Sequence, residues 1–344
     1  MLLSLAIMTV FVPGIVGLAS NTSWAVMWLA MPLLLLNCKI EMTLIHVLGL
    51  SFLSYAALSL LWSPHGFLEF MQLLALASVF VWGYTLKDLR SVTIGLSLGL
   101  AVSSVIAILQ YFKVDLPILT YSKVSGVFVN PNIYAEVSGI ILILILINKL
   151  WWYIPVTVPG LLVSSRAVIV GLTVVCLAWI WNKSKLITVS IIGSLIFAAS
   201  FINFATGSIY ERLNMWNDMS SGFNVFGHGI GSFVYLFPDY NKHLDTSVHL
   251  AEYAHNDLLQ LIFELGIGAI PLILIVALLL KVNNEYRNAL IFFIVISFFG
   301  FPLHMPATGF VVALVAAQLV KFSVGHRIAF NSRRSVLLNR META

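Results

Sequence analysis

The chain has 344 residues, of which 60% are hydrophobic and 9% charged, with a formal net charge of +4. Soluble domains carry about 25% charged residues, so this chain has too few charges to cover a surface in water. That excludes a soluble enzyme, a disordered chain and a disulfide scaffold, and leaves an integral membrane protein with spans of about 20 residues each.

In chain order, apolar segments fall near 2–19, 24–38, 43–62, 67–86, 92–112, 132–148, 151–163, 167–181, 186–202, 258–280, 288–301 and 307–324. They predict an all-α polytopic bundle of about 12 transmembrane helices in a single domain over 1–344. The first run, Leu2–Ala19, lacks a positive n-region and reads as a retained span. Cys38 and Cys176 both lie in apolar stretches, where a structural disulfide is not expected.

Charge sets the orientation. With the N-terminus inside, the inner side holds Lys39, Lys87, Arg90, Lys149, Lys183, Lys185, Lys281, Arg287, Lys321, Arg327, Arg333, Arg334 and Arg340. The outer side holds Lys113, Lys123, Arg166, Arg212 and Lys242, and the outer connections 20–23, 63–66 and 302–306 hold none. The asymmetry predicts both termini on the cytoplasmic side, with 325–344 as a basic cytoplasmic tail. Residues 203–257 then form one long outer loop, rich in aromatic residues and glycine, which is expected to fold as a lid.

Five constellations could carry chemistry. The first is Gly126-Val127-Phe128-Val129-Asn130-Pro131-Asn132, where Asn130 suits an N-cap and Pro131 the first helical position. Asn132 and Glu136 share a helix face and form either a capped helix start or the polar wall of a substrate site. The second is Ser164-Ser165-Arg166, a serine-rich helix start with an added cation, which forms either an anion site or an arginine snorkelling to lipid headgroups. The third is Arg212, on one predicted helix face with Ile209, Leu213 and Trp216. Its partner is a bound phosphate, or Glu69 or Glu136 from the bundle. The fourth is Gly227-His228-Gly229-Ile230-Gly231, in which no βαβ unit supports nucleotide binding and the glycines permit tight turns or close approach to a ligand. The fifth is Ala254-His255-Asn256-Asp257, with Asp257, Gln260 and Glu264 on one stripe that must face protein or water. His255, at the mouth of that stripe, can accept a proton near neutral pH. A zinc site from His243, His249 and His255 is disfavoured, because a spacing of six puts neighbours on different helix faces.

The helices beginning near Asn130, Arg166 and His255 all run from outside to inside, so their N-termini share the outer face with Arg212. Two arginines, three helix N-termini and a histidine suit a diphosphate with a hydroxyl acceptor nearby.

In these motifs, taken in order over 126–268, the sequence resembles the O-antigen ligase and O-antigen polymerase superfamily of bacterial inner-membrane glycan transferases. Ala269 stands where the ligase motif often has Gly, Thr or Tyr, and Phe223 stands where some polymerases place the glycine of a paired Arg motif. The resemblance implies a GT-C-like fold and an undecaprenyl-diphosphate-linked glycan donor. The acceptor would be a hydroxyl of lipid A–core, a growing glycan or a protein, with no cofactor, no metal and no nucleic-acid partner. It further implies that Arg166 and Arg212 bind the diphosphate and that His255 activates the acceptor. Asn130, Asn132, Glu136, Trp216, Gly229, Gly231, Asn256 and Asp257 are expected around the substrates. If His255 is the base, the rate should fall as pH drops through the histidine range. A transporter of the same lipids would need polar residues along a route across the membrane, whereas here they collect towards the outer half.

Overall fold

In the computed structural model of the protein, the described residues are 24, 27–31, 35, 42–114, 124–128, 130–163, 165–181, 183–185, 207–243 and 251–342. The expected spans 2–19 and 186–202, most of 24–38, Ser164 and residues 244–250 of the loop lie outside them. All regular structure among the described residues is helical. The helices are α1 (Leu44–Ser59), α2 (Phe67–Thr85), α3 (Arg90–Tyr111), α4 (Pro131–Ile147), α5 (Val158–Leu162), α6 (Arg166–Trp181), α7 (Gly207–Ser220), α8 (Phe233–Tyr240), α9 (Asp257–Leu265), α10 (Ile270–Leu280), α11 (Arg287–Ser297) and α12 (Pro306–Glu342).

Four helical stretches are long and apolar enough to cross a membrane: Phe67–Thr85, Arg90–Tyr111, Asp257–Leu280 and Pro306–Val324. Shorter apolar helices occupy Leu44–Ser59, Pro131–Ile147, Arg166–Trp181 and Arg287–Ser297. The expected segment 151–163 is not one α-helix. Pro155 and Pro159 remove backbone donors, and the chain runs as a 3-10 helix over Trp151–Thr157 before the five-residue α5. The expected tail continues α12, whose helix extends to Glu342.

Core packing explains which helices are central. α4 buries Tyr134, Val137, Ile140, Ile141 and Leu144 in the main cluster, together with Leu96 and Leu100 of α3, Phe292 and Ile296 of α11 and Phe310 and Leu314 of α12. A second cluster lies largely within the long loop, where Met215 and Met219 of α7 meet Phe233 and Phe237 of α8 and Phe263 of α9. The packed face of α7 is therefore Met215, Asp218 and Met219, with Leu213 half exposed and Arg212 and Trp216 on the flank. This differs from the expected stripe through Ile209 and Leu213, because the methionines four apart fit the aromatic cluster.

The two ends of the bundle are chemically distinct. At one end Arg90 Nη1 donates to Asn148 O, Tyr286 Oη donates to Asn148 Oδ1 and Lys321 Nζ donates to Leu86 O. At the other lie the starts of α4, α6 and α9 and the folded part of the long loop, which bring the candidate site together.

Candidate active site

The last long apolar stretch before α11 is broken, and the break creates a need that the loop fills. Gly266, with φ +52°, ends α9, and the 3-10 turn Gly266–Ala269 leads into α10. Carbonyls at the end of α9 lose their intrahelical donors, which is tolerated at depth only if protein supplies others. Residues 225–231 supply them: His228 N–H donates to Phe263 O at 3.1 Å and Gly229 N–H to Glu264 O at 2.6 Å, while Ile267 N–H returns a bond to Val225 O at 2.8 Å. The same loop is tied to the end of α1, since Ile230 N–H donates to Ser59 Oγ at 3.0 Å and Ser63 Oγ donates to Ile230 O at 2.9 Å.

Gly229 and Gly231, expected near substrate, are taken up by these contacts with the chain itself. A Cβ on Gly229 would lie 2.3 Å from Ser63 Cβ, and one on Gly231 would lie 2.8 Å from Glu69 Oε2. Both residues have positive φ, at +93° and +69°, which glycine adopts without steric cost.

The acidic stripe of α9 is buried and faces protein. Glu264 accepts from Gly231 N–H at 2.9 Å and from Gln260 Nε2 at 3.1 Å. Asp257 accepts from Leu303 N–H and from His304 Nδ1, each at 3.0 Å. Asn256 is the N-cap, its side chain accepting from Leu259 N–H at 3.0 Å. His304 is the neighbour of this stripe that the sequence reading missed. It lies in the short connection between α11 and α12, in no motif, and the available signal was one imidazole in an otherwise apolar turn.

A strap formed by residues 299–304 then joins the charged groups. Arg212, half-buried on α7, donates from Nη1 to Phe299 O at 2.6 Å. Gly300 presses on the buried Glu136, where an added Cβ would meet Oε1 at 2.9 Å. The Phe301 ring lies 5.1 Å from His255 and stacks on Tyr253 at 4.5 Å. Trp216, expected to touch substrate, donates from Nε1 to Ala254 O at 2.8 Å and so anchors the residue before His255. Asn130 caps α4 by accepting from Asn132 N–H at 2.8 Å, and the Asn132 side chain is exposed. Arg166 opens α6 with an exposed side chain whose charge acts on Arg212. Of the expected site residues, Arg166, Arg212, His255, Glu136 and Asp257 thus share one electrostatic neighbourhood. His243 lies apart, with Nδ1 2.7 Å from Asp218 Oδ1, and His249 is outside the described residues.

Charge and burial set the protonation states. His255 is pushed down to about 4, first by burial and then by Arg212. The imidazole is therefore neutral across the ordinary histidine range, and its own titration cannot produce the expected fall in rate there. Burial also pulls the Arg212 guanidinium down, Glu136 opposes this, Arg166 adds to it and Glu211 opposes it. Tyr253 is pushed up to about 12, by burial first and then by Glu252, Glu69, Asp257 and Glu264. His255 has φ +52°, a left-handed backbone rare outside glycine, so its position is held by the groups around it.

No protein-family model matches the chain, and no curated protein matches it in sequence. Two guanidiniums that repel each other, a helix N-terminus and a neutral imidazole can together hold an anion and accept a proton beside it.

Proposed function

We propose that the protein is a membrane glycosyltransferase of the O-antigen ligase type, with a GT-C-like fold and its site on the periplasmic face of a bacterial inner membrane. The donor is a glycan on a polyprenyl diphosphate such as undecaprenyl diphosphate, and the acceptor is a hydroxyl of lipid A–core. Polymerisation of a growing glycan, or transfer to a protein hydroxyl, would use the same donor chemistry with a different acceptor. One observation carries the reading: Arg166, Arg212 and His255 lie on separate elements, yet the charge of Arg166 acts on Arg212 and that of Arg212 on His255.

In the reaction, the acceptor oxygen attacks the anomeric carbon as the bond from that carbon to the diphosphate oxygen breaks. Attack from the face opposite the diphosphate inverts the anomeric centre. Arg166 and Arg212 stabilise the charge growing on the departing diphosphate, which is the larger contribution. His255, neutral at the start, takes the hydroxyl proton. Phe299 O orients Arg212 through Nη1, leaving other donors of its fork for phosphate oxygens. The chemistry calls for no cofactor, since the guanidiniums supply the positive charge. At the opposite end Arg90 and Lys321 are engaged with backbone carbonyls, which favours transfer at one face over carriage across the membrane.

The test uses purified, folded protein in detergent with a labelled lipid-linked glycan and a lipid A–core acceptor. Transfer that needs both substrates is the expected result. Its absence from a preparation shown to be folded would overturn the reading.

A further inference from the structure

We propose that His304 is a positioning residue of this site. Neutral, with its proton on Nδ1, it closes a ring of hydrogen bonds that holds His255, and it provides a pH switch that His255 does not. The role in transfer rests on the proposed function; the ring itself does not.

The ring can be followed bond by bond. Ala254 N–H donates to Gln260 Oε1 at 3.0 Å. That bond fixes which way the Gln260 amide faces, so its NH2 points at Glu264 Oε1 at 3.1 Å and at His304 Nε2 at 3.3 Å. An NH2 group only donates, so Nε2 must be the acceptor and the imidazole proton must sit on Nδ1. Nδ1 lies 3.0 Å from Asp257 Oδ1, where that proton is accepted. Asp257 Oδ2 then takes Leu303 N–H at 3.0 Å, tying the strap to the same carboxylate. Residues 254 and 257, on either side of His255, are thereby joined through His304. The left-handed His255 backbone is held between them, and the strap that carries Phe299 O to Arg212 is held with it.

Protonation breaks one link of this ring. A proton on Nε2 faces the Gln260 NH2, and the amide cannot turn over without placing that NH2 against Ala254 N–H. The titratable and charged groups facing His304 are Asp257 and Glu264 from α9, Glu69 from α2 and the Tyr253 ring, 4.9 Å away. Burial pushes His304 down, but the hydrogen bond and charge of Asp257, with the charges of Glu264 and Glu69, outweigh it and leave the imidazole above its ordinary value of 6.5. The sign follows. Above the raised value His304 is neutral and the ring is closed; as pH falls through it, the Asp257 pair tightens while the Gln260 link opens and frees Ala254 and His255. Because His255 stays neutral down to about 4, its own titration does not account for an acid limb in the ordinary histidine range, and the His304→Asn variant tells whether His304 does.

Two measurements test this on the full-length protein in detergent. In the first, hydrogen exchange of residues 251–260 is followed by mass spectrometry from pH 5 to 8.5 and corrected for intrinsic rates. Wild-type protection should fall about tenfold through a midpoint above 6.5, as one buried hydrogen bond is lost. His304→Asn, which keeps an amide for Asp257 but does not titrate, should show no such step. In the second, the transfer rate should show an acid limb with the same midpoint, missing in His304→Asn and retained in the residual activity of His255→Gln. Wild-type protection that stays level with pH would overturn the ring. A limb lost in His255→Gln but kept in His304→Asn would overturn the assignment of the switch. Absence of transfer at every pH counts against the proposed function alone, and the exchange measurement then decides the ring.

Discussion

The two ends of the bundle use the same kinds of residue to opposite effect. At one end, cations meet helix C-termini: Lys321 Nζ reaches Leu86 O at 2.5 Å and Arg90 Nη1 reaches Asn148 O at 3.1 Å, and these carbonyls belong to the C-caps of α2 and α4. A cation there offsets the negative end of the helix dipole, so the contacts stabilise the fold. At the other end, Arg166 stands at the start of α6, where the dipole is already positive, and Arg212 lies close enough to repel it. Arg212 also meets a carbonyl, Phe299 O, but the like charge of Arg166 and the positive helix start set this end apart, and the proposed diphosphate would offset them, whereas the first end is a set of caps.

Substitutions can break this comparison, starting with the largest expected effect. His255→Ala should slow transfer by about 10²–10⁴-fold while donor binding persists, as read by single-turnover transfer and a separate binding assay. His255→Gln should be nearly as slow. Because His255 charges only near pH 4, either variant should lower the rate between pH 5 and 8 without changing the shape of its profile. Full activity in the Gln variant would reduce His255 to a positioning group and move the base to Glu252, Asp257 or Glu136.

Arg212→Ala should cost about 2–5 kcal/mol of donor affinity or transition-state stabilisation, through loss of a buried charge contact. Arg212→Lys should recover only part of this, since an ammonium cannot reach both Phe299 O and a phosphate with a rigid fork. Near wild-type rates in both Arg212→Lys and Arg166→Lys would remove the diphosphate clamp from the account.

Gly229→Ala should lower thermal stability in detergent by about 1–2 kcal/mol from the backbone alone, with the clash against Ser63 adding to it. An unchanged unfolding midpoint with lost donor binding would mean that this glycine approaches the ligand after all. The smallest effect belongs to the opposite end. Lys321→Met should cost no more than about 1 kcal/mol of stability and leave transfer unchanged, and a large loss of transfer would erase the distinction between the ends.

Particular residues show how far the sequence could be read. Asn130 was legible as a helix start, because an N-cap is a local pattern and its side chain accepts from the first turn, whereas Asn256, expected around the substrates, proved to be the cap of α9. The stripe Asp257, Gln260 and Glu264 was legible as turned from lipid towards protein or water, because its spacing follows the helical period, and the structure buries it in protein. The 227–231 glycines read equally well as ligand contacts or turns. Only the break at Gly266, which leaves carbonyls needing donors, makes them part of the scaffold. Trp216 read as a substrate contact and proved to hold Ala254 O, since a partner 38 residues away leaves no periodic trace. His304 left only a lone imidazole in an apolar turn as its signal, for the same reason.

Composition, hydrophobic period and charge bias are carried by neighbouring residues, and they sufficed to define an all-helical chain with membrane-spanning segments and to nominate Arg166, Arg212 and His255. The protonation of His255, the hold of Phe299 O on Arg212 and the entry of His304 into the site were decided by tertiary structure. Those properties depend on which distant groups share a low-dielectric space. Burial and a nearby charge can move an imidazole by several pH units, and packing alone determines where that burial and that charge fall.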